Sequence, residues 1–159
     1  MNLVRLRSIG QCVALLALRC ALAVPFWRSG LTKWDGFLKL SDSARLLFTD
    51  EFRLHLFGRE VPFPMPELFA HLSGTAEVCL PVLLVLGLGT RLAAAGLLLM
   101  TGIIQLTEPD GWANFHLPWA AMALALLVFG PGRVALDWLV CRFVRARRGA
   151  RGDPPPAPR

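Results

Sequence analysis

The sequence predicts an all-α fold, an integral membrane four-helix bundle. Two observations lead to this fold class. Hydrophobic residues make up 55% of the 159-residue chain, and its mean hydropathy of +0.52 is high for a soluble domain. The apolar residues also gather in four stretches, each near the roughly 20 residues that a helix needs to cross the hydrocarbon core of a bilayer. The predicted spans are residues 8–30, 67–89, 91–108 and 113–129.

The first span begins like a secretory signal peptide. Arg5 and Arg7 precede its apolar core, and Ala21-Leu22-Ala23 resembles a cleavage site. Arg19 is unusual just before such a site, and the segment continues to Trp27, a residue type that anchors helices at the membrane interface. We therefore predict that the first span is retained and that the chain crosses the bilayer four times.

The connection between the first two spans, residues 31–66, is long enough to have structure of its own. Asp42 to Phe57 has the apolar spacing of a short amphipathic helix, and Ser41 suits its cap position. We expect this helix to lie on the outer surface of the bundle. It is followed by three prolines that enforce an extended segment, Pro62, Pro64 and Pro66.

After the fourth span, Gly130-Pro131-Gly132 predicts the end of a helix. Residues 134–144 mix apolar and basic side chains, which is typical of a short helix on the inner membrane surface. Residues 145–159 are basic and rich in proline, and we predict a disordered tail there. The four-span domain is therefore expected to cover residues 1–144.

The distribution of charge predicts the orientation, because basic residues near span ends favour the cytoplasmic side. The connection at residues 107–115 carries Glu108 and Asp110 but no Lys or Arg, so we place both termini on the opposite, cytoplasmic side. The predicted cytoplasmic set is Arg5, Arg7, Arg91, Arg133, Arg142, Arg145, Arg147 and Arg148. This basic tail fits anionic lipid headgroups. The chain has no nucleic-acid-binding motif, so we expect no nucleic acid partner.

Two charged residues fall inside the predicted spans, where a charge is costly and marks function by default. Arg19 lies eleven residues into the first span and Glu77 ten residues into the second, so both are predicted near mid-membrane. Antiparallel packing could then pair them. We take Arg19 and Glu77 as candidate catalytic residues of a polar or proton-handling pocket. The alternative is a structural ion pair that fixes the register of the helices.

Other polar residues could join this pocket. Pro81 cannot donate a hydrogen bond to the carbonyl of Glu77, which leaves either a free acceptor beside the carboxylate or an ordinary proline kink. Gln105 lies in the outer half of the third span, where it either lines the pocket or bonds to a neighbouring helix. Lys33 and Trp112 are expected at the outer mouth of the pocket.

Histidines and acids gather at the outer ends of the spans. Glu67 and His71 are four residues apart and share a helical face, and His116 opens the fourth span on the same side. With Glu108 and Asp110 they could bind a metal, or the two histidines could ligate a haem. The spacing matches no metal motif and the chain has no HExxH, so we expect no metal site and regard both histidines as candidate pocket residues.

Four short motifs follow one another along the chain. They are Arg28-Ser29-Gly30-Leu31-Thr32-Lys33 at the end of the first span, Glu77 with the turn Leu86-Gly87-Leu88-Gly89-Thr90-Arg91, the group Trp112, His116 and Trp119, and Gly130-Pro131-Gly132-Arg133-Val134-Ala135-Leu136-Asp137. In this order they resemble the DoxX family of small four-helix bacterial membrane proteins, over residues 10–140. The chain departs from the family at Ala135, where Ser is usual, and in its long connection at residues 31–66.

The resemblance implies a four-helix bundle in the bacterial inner membrane. Some members of the family are subunits of a thiosulfate:quinone oxidoreductase, and others join membrane complexes that handle oxidative or thiol stress. We therefore expect an oxidoreductase-associated membrane subunit with a quinone or proton-handling pocket. Its catalytic residues would be Arg19 and Glu77. Its cofactor-binding residues would be Gln105, Lys33, Trp112, His71 and His116.

Two other functions stay open at this point. The chain could be a non-catalytic scaffold that docks a protein partner through residues 31–66. As to assembly, we expect either a protein partner or a homo-oligomer. It could also be a small transporter, but four short spans without inverted repeats give that function the least support. Deleting the Asp42 to Phe57 helix would release the partner of a scaffold, whereas Glu77→Gln would abolish quinone-dependent activity.

Overall fold

The computed structural model of the chain describes the backbone of residues 3–150 and the side chains of residues 7–144. In chain order the helices are α1 (Leu3–Thr32), α2 (Asp42–Leu46), α3 (Pro66–Leu86), α4 (Thr90–Thr107), α5 (Leu117–Phe129) and α6 (Leu136–Ala150). Within the described residues, four helical segments are long and apolar enough to cross a membrane, namely α1, α3, α4 and Pro109–Phe129. This result confirms the predicted all-α membrane bundle.

The fourth span is longer than α5 alone. A 3-10 turn, Pro109–Gly111, and a wide π-helical turn, Trp112–His116, lead directly into α5. Together these segments give 21 residues, enough to cross a bilayer core. The observed spans begin and end within a few residues of the predicted ones, except that α1 starts five residues earlier, because hydropathy marks the stretches but not the polar turns that extend them.

Successive spans run in opposite directions, which gives the bundle two distinct ends. We call the end formed by residues 33–65 and 108–116 the loop end. The other end, formed by residues 87–89 and 130–135, is called the terminal end because α6 leaves from it. Helix α1 packs mainly on α3, and α4 packs mainly on α5.

The core of the bundle is apolar and rich in small side chains. Alanines at the helix contacts let the backbones approach closely, which is the usual basis of packing between membrane helices. Larger side chains fill the space between them. The buried set is Leu15, Leu22, Ala23, Phe26, Leu84, Ala93, Ala94, Leu97, Ala123 and Leu126. A second apolar cluster, at the loop end, consists of Leu40, Ala44, Phe48, Phe63 and Ala70.

The predicted amphipathic helix is confirmed at its start. Ser41 caps α2 by accepting a hydrogen bond from the amide of Ala44, at 3.2 Å. A π-helical turn, Leu47–Glu51, continues α2, and the helical backbone ends before Phe52. Phe48 faces the loop-end cluster, where its ring meets that of Phe52 edge-on.

The prediction that this helix continues to Phe57 is wrong. Two strands, Arg53–Leu56 and Arg59–Pro62, form an antiparallel hairpin instead. Its two turn residues, Phe57 and Gly58, both have positive φ angles of 51° and 76°, as a tight two-residue hairpin turn requires. The turn lies at a Phe-Gly pair, and phenylalanine there masks the turn signal in the sequence.

Another, smaller hairpin directly follows α1. Its strands are Trp34–Gly36 and Lys39–Leu40, joined through Phe37 and Leu38. The two hairpins are labelled the first hairpin, residues 34–40, and the second hairpin, residues 53–62. Both hairpins point their turns away from the apolar core, as the full exposure of Phe37 and Phe57 shows.

Helix α6 confirms the short helix predicted for residues 134–144, but it continues to Ala150. Residues 145–150 are therefore helical, and the prediction of a disordered tail is wrong for them. The helix continues because residues 145–148, Arg-Ala-Arg-Arg, are all good helix formers. The Pro-rich segment from Gly152 onward lies outside the described residues.

Candidate functional site

A buried ion pair joins α3 to the chain that follows α1. The ammonium of Lys33 lies 2.5 Å from Oε2 of Glu77, and both side chains are buried. Lys33 also donates to Oγ of Ser29 at 3.0 Å, and Ser73 donates its hydroxyl to Oε1 of Glu77 at 3.1 Å. Each charge is therefore paired and hydrogen-bonded, which is the arrangement that makes burial of an ion pair tolerable.

Glycine and proline shape the backbone around this pair. A side chain at Gly30 would place its Cβ 2.9 Å from the carbonyl carbon of Glu77 and 3.0 Å from its oxygen, so only glycine permits this approach. Pro81 has no N–H to offer the same carbonyl, which leaves that oxygen without its usual helical donor. The backbone of α1 thus covers the one carbonyl of α3 that the proline releases.

Lys33 and Glu77 form part of the wall of a cavity of about 550 Å³ at the loop end. A volume of this size suits a small organic ligand. Most of the wall is apolar and much of it is aromatic, with Phe26, Phe48, Phe52, Phe63, Phe69, Phe115 and Trp119 contributing rings. The site therefore combines an aromatic chamber with a single buried ion pair.

His116 supplies a further polar group to this cavity wall, which also includes Ser29, Ser73, Thr107 and Glu108. It is buried, and its Nδ1 lies 2.6 Å from Oε1 of Gln105. The amide nitrogen of Gln105 donates to the carbonyl of Pro109 at 3.2 Å, so its oxygen is the acceptor toward the histidine. His116 consequently donates from Nδ1, and in the neutral ring Nε2 is a hydrogen-bond acceptor.

The predicted ion pair between Arg19 and Glu77 is wrong. Arg19 is buried, but its guanidinium donates to the carbonyls of Val85, at 3.4 Å, and Val134. Val85 lies eight residues beyond Glu77 on α3, about 12 Å further along the helix axis. Counting residues from each span end misses this offset, because α1 is 30 residues long and extends past α3. Arg19 therefore belongs to the terminal end.

Asp137 is an acidic residue at that end, and it is not among the predicted site residues. Its carboxylate accepts hydrogen bonds from the amides of Gly89, at 2.8 Å, and Thr90, at 3.0 Å, and so caps α4. Burial raises the pKa of Asp137, but the amide hydrogen bonds of Thr90 and Gly89, with the charge of Arg19, outweigh burial and hold the pKa below its ordinary value.

The remaining predicted site residues lie outside the cavity wall. His71 donates from Nδ1 to the carbonyl of Glu67 at 2.8 Å, and its ring meets the edge of the Trp34 ring. Trp112 is partly exposed on the turn that precedes α5. Gln105 does not line the cavity, but it accepts a hydrogen bond from His116, which does. Of the seven predicted residues, the cavity brings together Lys33, Glu77 and His116.

Several lining residues were not predicted at all. The aromatic rings of Phe48, Phe52 and Phe63 come from the connection between the first two spans. The signal that could have found them is the recurrence of phenylalanine in a segment otherwise rich in charge. As to metals, no group of three or more His, Cys, Asp or Glu side chains in the described part of the chain could hold an ion.

Comparison with known proteins gives a family but no solved relative. A Haemophilus influenzae protein, described as an uncharacterized protein, is 28% identical over 151 residues, which covers 86% of this chain and 89% of the relative. No solved structure matches the chain significantly. The sequence profile of DoxX matches residues 14–108, more than half of the chain and all of the segment that carries Lys33 and Glu77. The chain therefore belongs to the DoxX family of membrane proteins.

Proposed function

We propose that the chain is the membrane subunit of a redox assembly and that its loop-end cavity binds a quinone. The observation that carries this proposal is the buried Lys33–Glu77 pair in the wall of an aromatic cavity of about 550 Å³. A fat-soluble quinone reaches such a cavity laterally from the bilayer. Structural ion pairs fix helix register equally well in a packed core, but this one lies against open space.

The residues present fit a quinone ring. Aromatic side chains offer offset and edge contacts to a planar ring, and the apolar wall matches its hydrocarbon tail. The polar ends of the ring need hydrogen-bond partners. Lys33 donates on one part of the wall, and His116 and Ser29 supply further polar atoms. When bound, the quinone would supply a carbonyl oxygen that accepts an electron and a proton.

The chain's own contribution is to hold charge and protons. The ammonium of Lys33 donates a hydrogen bond to an oxygen in the cavity and stabilises negative charge that develops there. Glu77, in direct contact with Lys33, balances that ammonium while the cavity is empty of charge. If Lys33 passes a proton to the ligand, the carboxylate and Ser73 form the adjoining hydrogen-bonded route by which a proton returns. The proposal assigns the electrons to a partner subunit.

The proposal includes the bacterial inner membrane, with both termini in the cytoplasm. Basic residues support this orientation, because Arg91, Arg133 and Arg142 lie at or near the terminal end. Glu108 and Asp110 lie at the loop end without a basic residue in the same turn, and the basic residues at 33–65 of that end are matched in number by acidic ones. In this orientation the cavity lies in the outer half of the membrane.

The proposal is tested by measuring quinone binding to the purified protein in lipid nanodiscs, with a short-chain benzoquinone as the probe. Glu77→Gln alone leaves Lys33 buried without its counter-ion, so the informative variant is Lys33→Met/Glu77→Leu, which removes both charges. We expect this double variant to fold and to bind at least tenfold more weakly, since a charge-assisted hydrogen bond contributes about 1.5–3 kcal/mol. Glu67→Gln, an exposed carboxylate on the same helix, is the matched control.

Equal affinity of the double variant and the control would overturn the quinone site. Absence of saturable binding to the unaltered protein would do the same. Thermal unfolding of both variants, monitored in the same nanodiscs, separates a loss of the site from a loss of the fold.

A scaffold is the second candidate function, and one observation favours it. The rings at the tips of the two hairpins, Phe37 and Phe57, are 97% and 103% exposed. Two exposed aromatic tips on one end of a membrane bundle suit the docking of a partner protein or a second copy of the chain. Phe37→Ser/Phe57→Ser should then release the co-purifying partner or dissociate the oligomer. Under the quinone proposal, the same variant should bind the benzoquinone as the unaltered protein does.

A further inference from the structure

Helix α6 is held to the bundle through its first turn. The amide of Asp137 donates to the carbonyl of Gly87 at 2.9 Å, and its carboxylate caps α4. Ala135, just before the helix, is buried against Gly87, where a Cβ would come within 2.5 Å of the alanine Cβ. This latch fixes where α6 begins, at the level of the ends of the spans.

Beyond the latch, α6 presents an apolar stripe. Leu136, Leu139, Val140 and Phe143 fall at the spacing i, i+3, i+4 and i+7, which places them on one face of the helix. They are 38%, 54%, 53% and 65% exposed. Leu136, Leu139 and Val140 form an apolar face of the kind that a surface helix normally buries, and their exposure within the chain favours burial of this face against a further surface.

The same helix is strongly basic. The guanidinium of Arg142 stacks over the ring of Trp138, 5.3 Å from its centroid. Arg145, Arg147 and Arg148 follow, and the sequence contains no Asp or Glu between Asp137 and Asp153. Arg142, Arg145 and Arg148 fall at helical positions away from the centre of the apolar stripe, whereas Arg147, four residues after Phe143, falls on the same face as the stripe and ends it.

We propose that the stripe and arginines of α6 bind an anionic phospholipid surface beside the terminal end of the bundle. Two observations favour lipid over a protein. The helix starts seven residues after the last span ends at Phe129, and its first turn caps α4, so the helix begins where headgroups lie. The charge of α6 also complements an anionic leaflet, because each arginine near the surface strengthens binding to that leaflet about fivefold. This inference is independent of the quinone site.

Neighbouring positions on α6 give a matched pair of probes. Val140 belongs to the apolar stripe, whereas Cys141 is exposed about 100° further around the helix. A spin label is attached at one of these two positions in the full-length protein, after Cys12, Cys20 and Cys79 are replaced by serine. The Val140→Cys protein also carries Cys141→Ser. The collision of each label with oxygen and with a water-soluble nickel chelate reports whether it lies in lipid or in water.

The protein is compared in nanodiscs of phosphatidylcholine alone and of phosphatidylcholine with phosphatidylglycerol. We expect the Val140→Cys label to lie in lipid in the anionic discs and to shift toward water in the neutral discs. The Cys141 label should stay accessible to the chelate in both. Arg142→Gln should shift the Val140→Cys equilibrium toward water by about fivefold in the anionic discs.

Two results would overturn the proposal. One is a Val140→Cys label that the chelate reaches equally in both lipid compositions. The other is a label shielded in both compositions with spin–spin broadening between labelled chains, which would mean that the stripe is buried by a second copy of the protein.

Discussion

Gly30 of α1 touches the backbone of Glu77 of α3, at the level of the buried ion pair. This contact sets how closely the two helices approach and where along their length they meet. The contact also sets the position of Lys33 beside Glu77, since Lys33 comes three residues after the glycine. Gly30→Ala is therefore expected to separate the helices locally and to weaken the pair.

We predict that Gly30→Ala lowers the free energy of unfolding by about 1–3 kcal/mol, the range for overpacking of a tight contact. The measurement is denaturant unfolding in detergent micelles. Gly10→Ala is the control on the same helix, because a Cβ at Gly10 meets nothing within 4 Å. Equal stability of the two variants would show that the approach at Gly30 is not tight.

The ion pair should behave as a unit. Lys33→Met and Glu77→Leu, taken singly, each leave a buried charge without its partner and are expected to cost about 3–5 kcal/mol. The double variant should cost clearly less than the sum of the two single variants, because no charge is then left unpaired. Unfolding measurements on the four proteins form the cycle. Strict additivity would contradict the observed contact.

The Gln105–His116 hydrogen bond should orient the histidine toward the cavity. Gln105→Leu removes the acceptor of His116 Nδ1, and an unpaired buried donor costs about 1–3 kcal/mol. We expect this loss of stability together with weaker binding of the benzoquinone probe. Gln11→Leu, at an exposed position of α1, is the control and should change neither quantity. Unaltered stability and binding in Gln105→Leu would rule out a role for this hydrogen bond.

The terminal end should be sensitive to acid. Because the pKa of Asp137 in the folded protein is lowered, its carboxylate stabilises the fold fully above the ordinary pKa of 3.8. This stabilisation is lost as the pH falls below 3.8 and through the lowered pKa. The stability difference between the unaltered protein and Asp137→Asn should therefore shrink over that acidic range. Asp110→Asn, at an exposed position, should give no such pH-dependent difference.

The sequence predicts the spans well and the sites unevenly, for physical reasons. Hydropathy depends on a helix alone, so α3 and α4 begin and end within a few residues of their predicted bounds. The pairing of Glu77 depends on the axial offset between two helices, which residue counts along each helix do not contain. That offset comes from the tight contact at Gly30 and from the length of α1.

The cavity was harder to predict because much of its wall comes from the connection between α1 and α3. Periodicity there favoured a helix to Phe57, whereas the positive φ angles at Phe57 and Gly58 produce a hairpin. The cap at Ser41 was predicted correctly, since it depends only on local hydrogen bonding. The sequence therefore predicts local hydrogen bonding, but it does not predict the packing that brings distant phenylalanines together in one cavity wall.

The bonds made by Arg19 have a consequence for biogenesis. The guanidinium lies in the first span to be synthesised, yet one of its acceptors, the carbonyl of Val134, is made 115 residues later. Until Val134 is made, the guanidinium lacks one of the two carbonyl acceptors that hold it in the folded protein. A chain truncated before Val134 therefore lacks a bond that joins the first span to the segment following the last one.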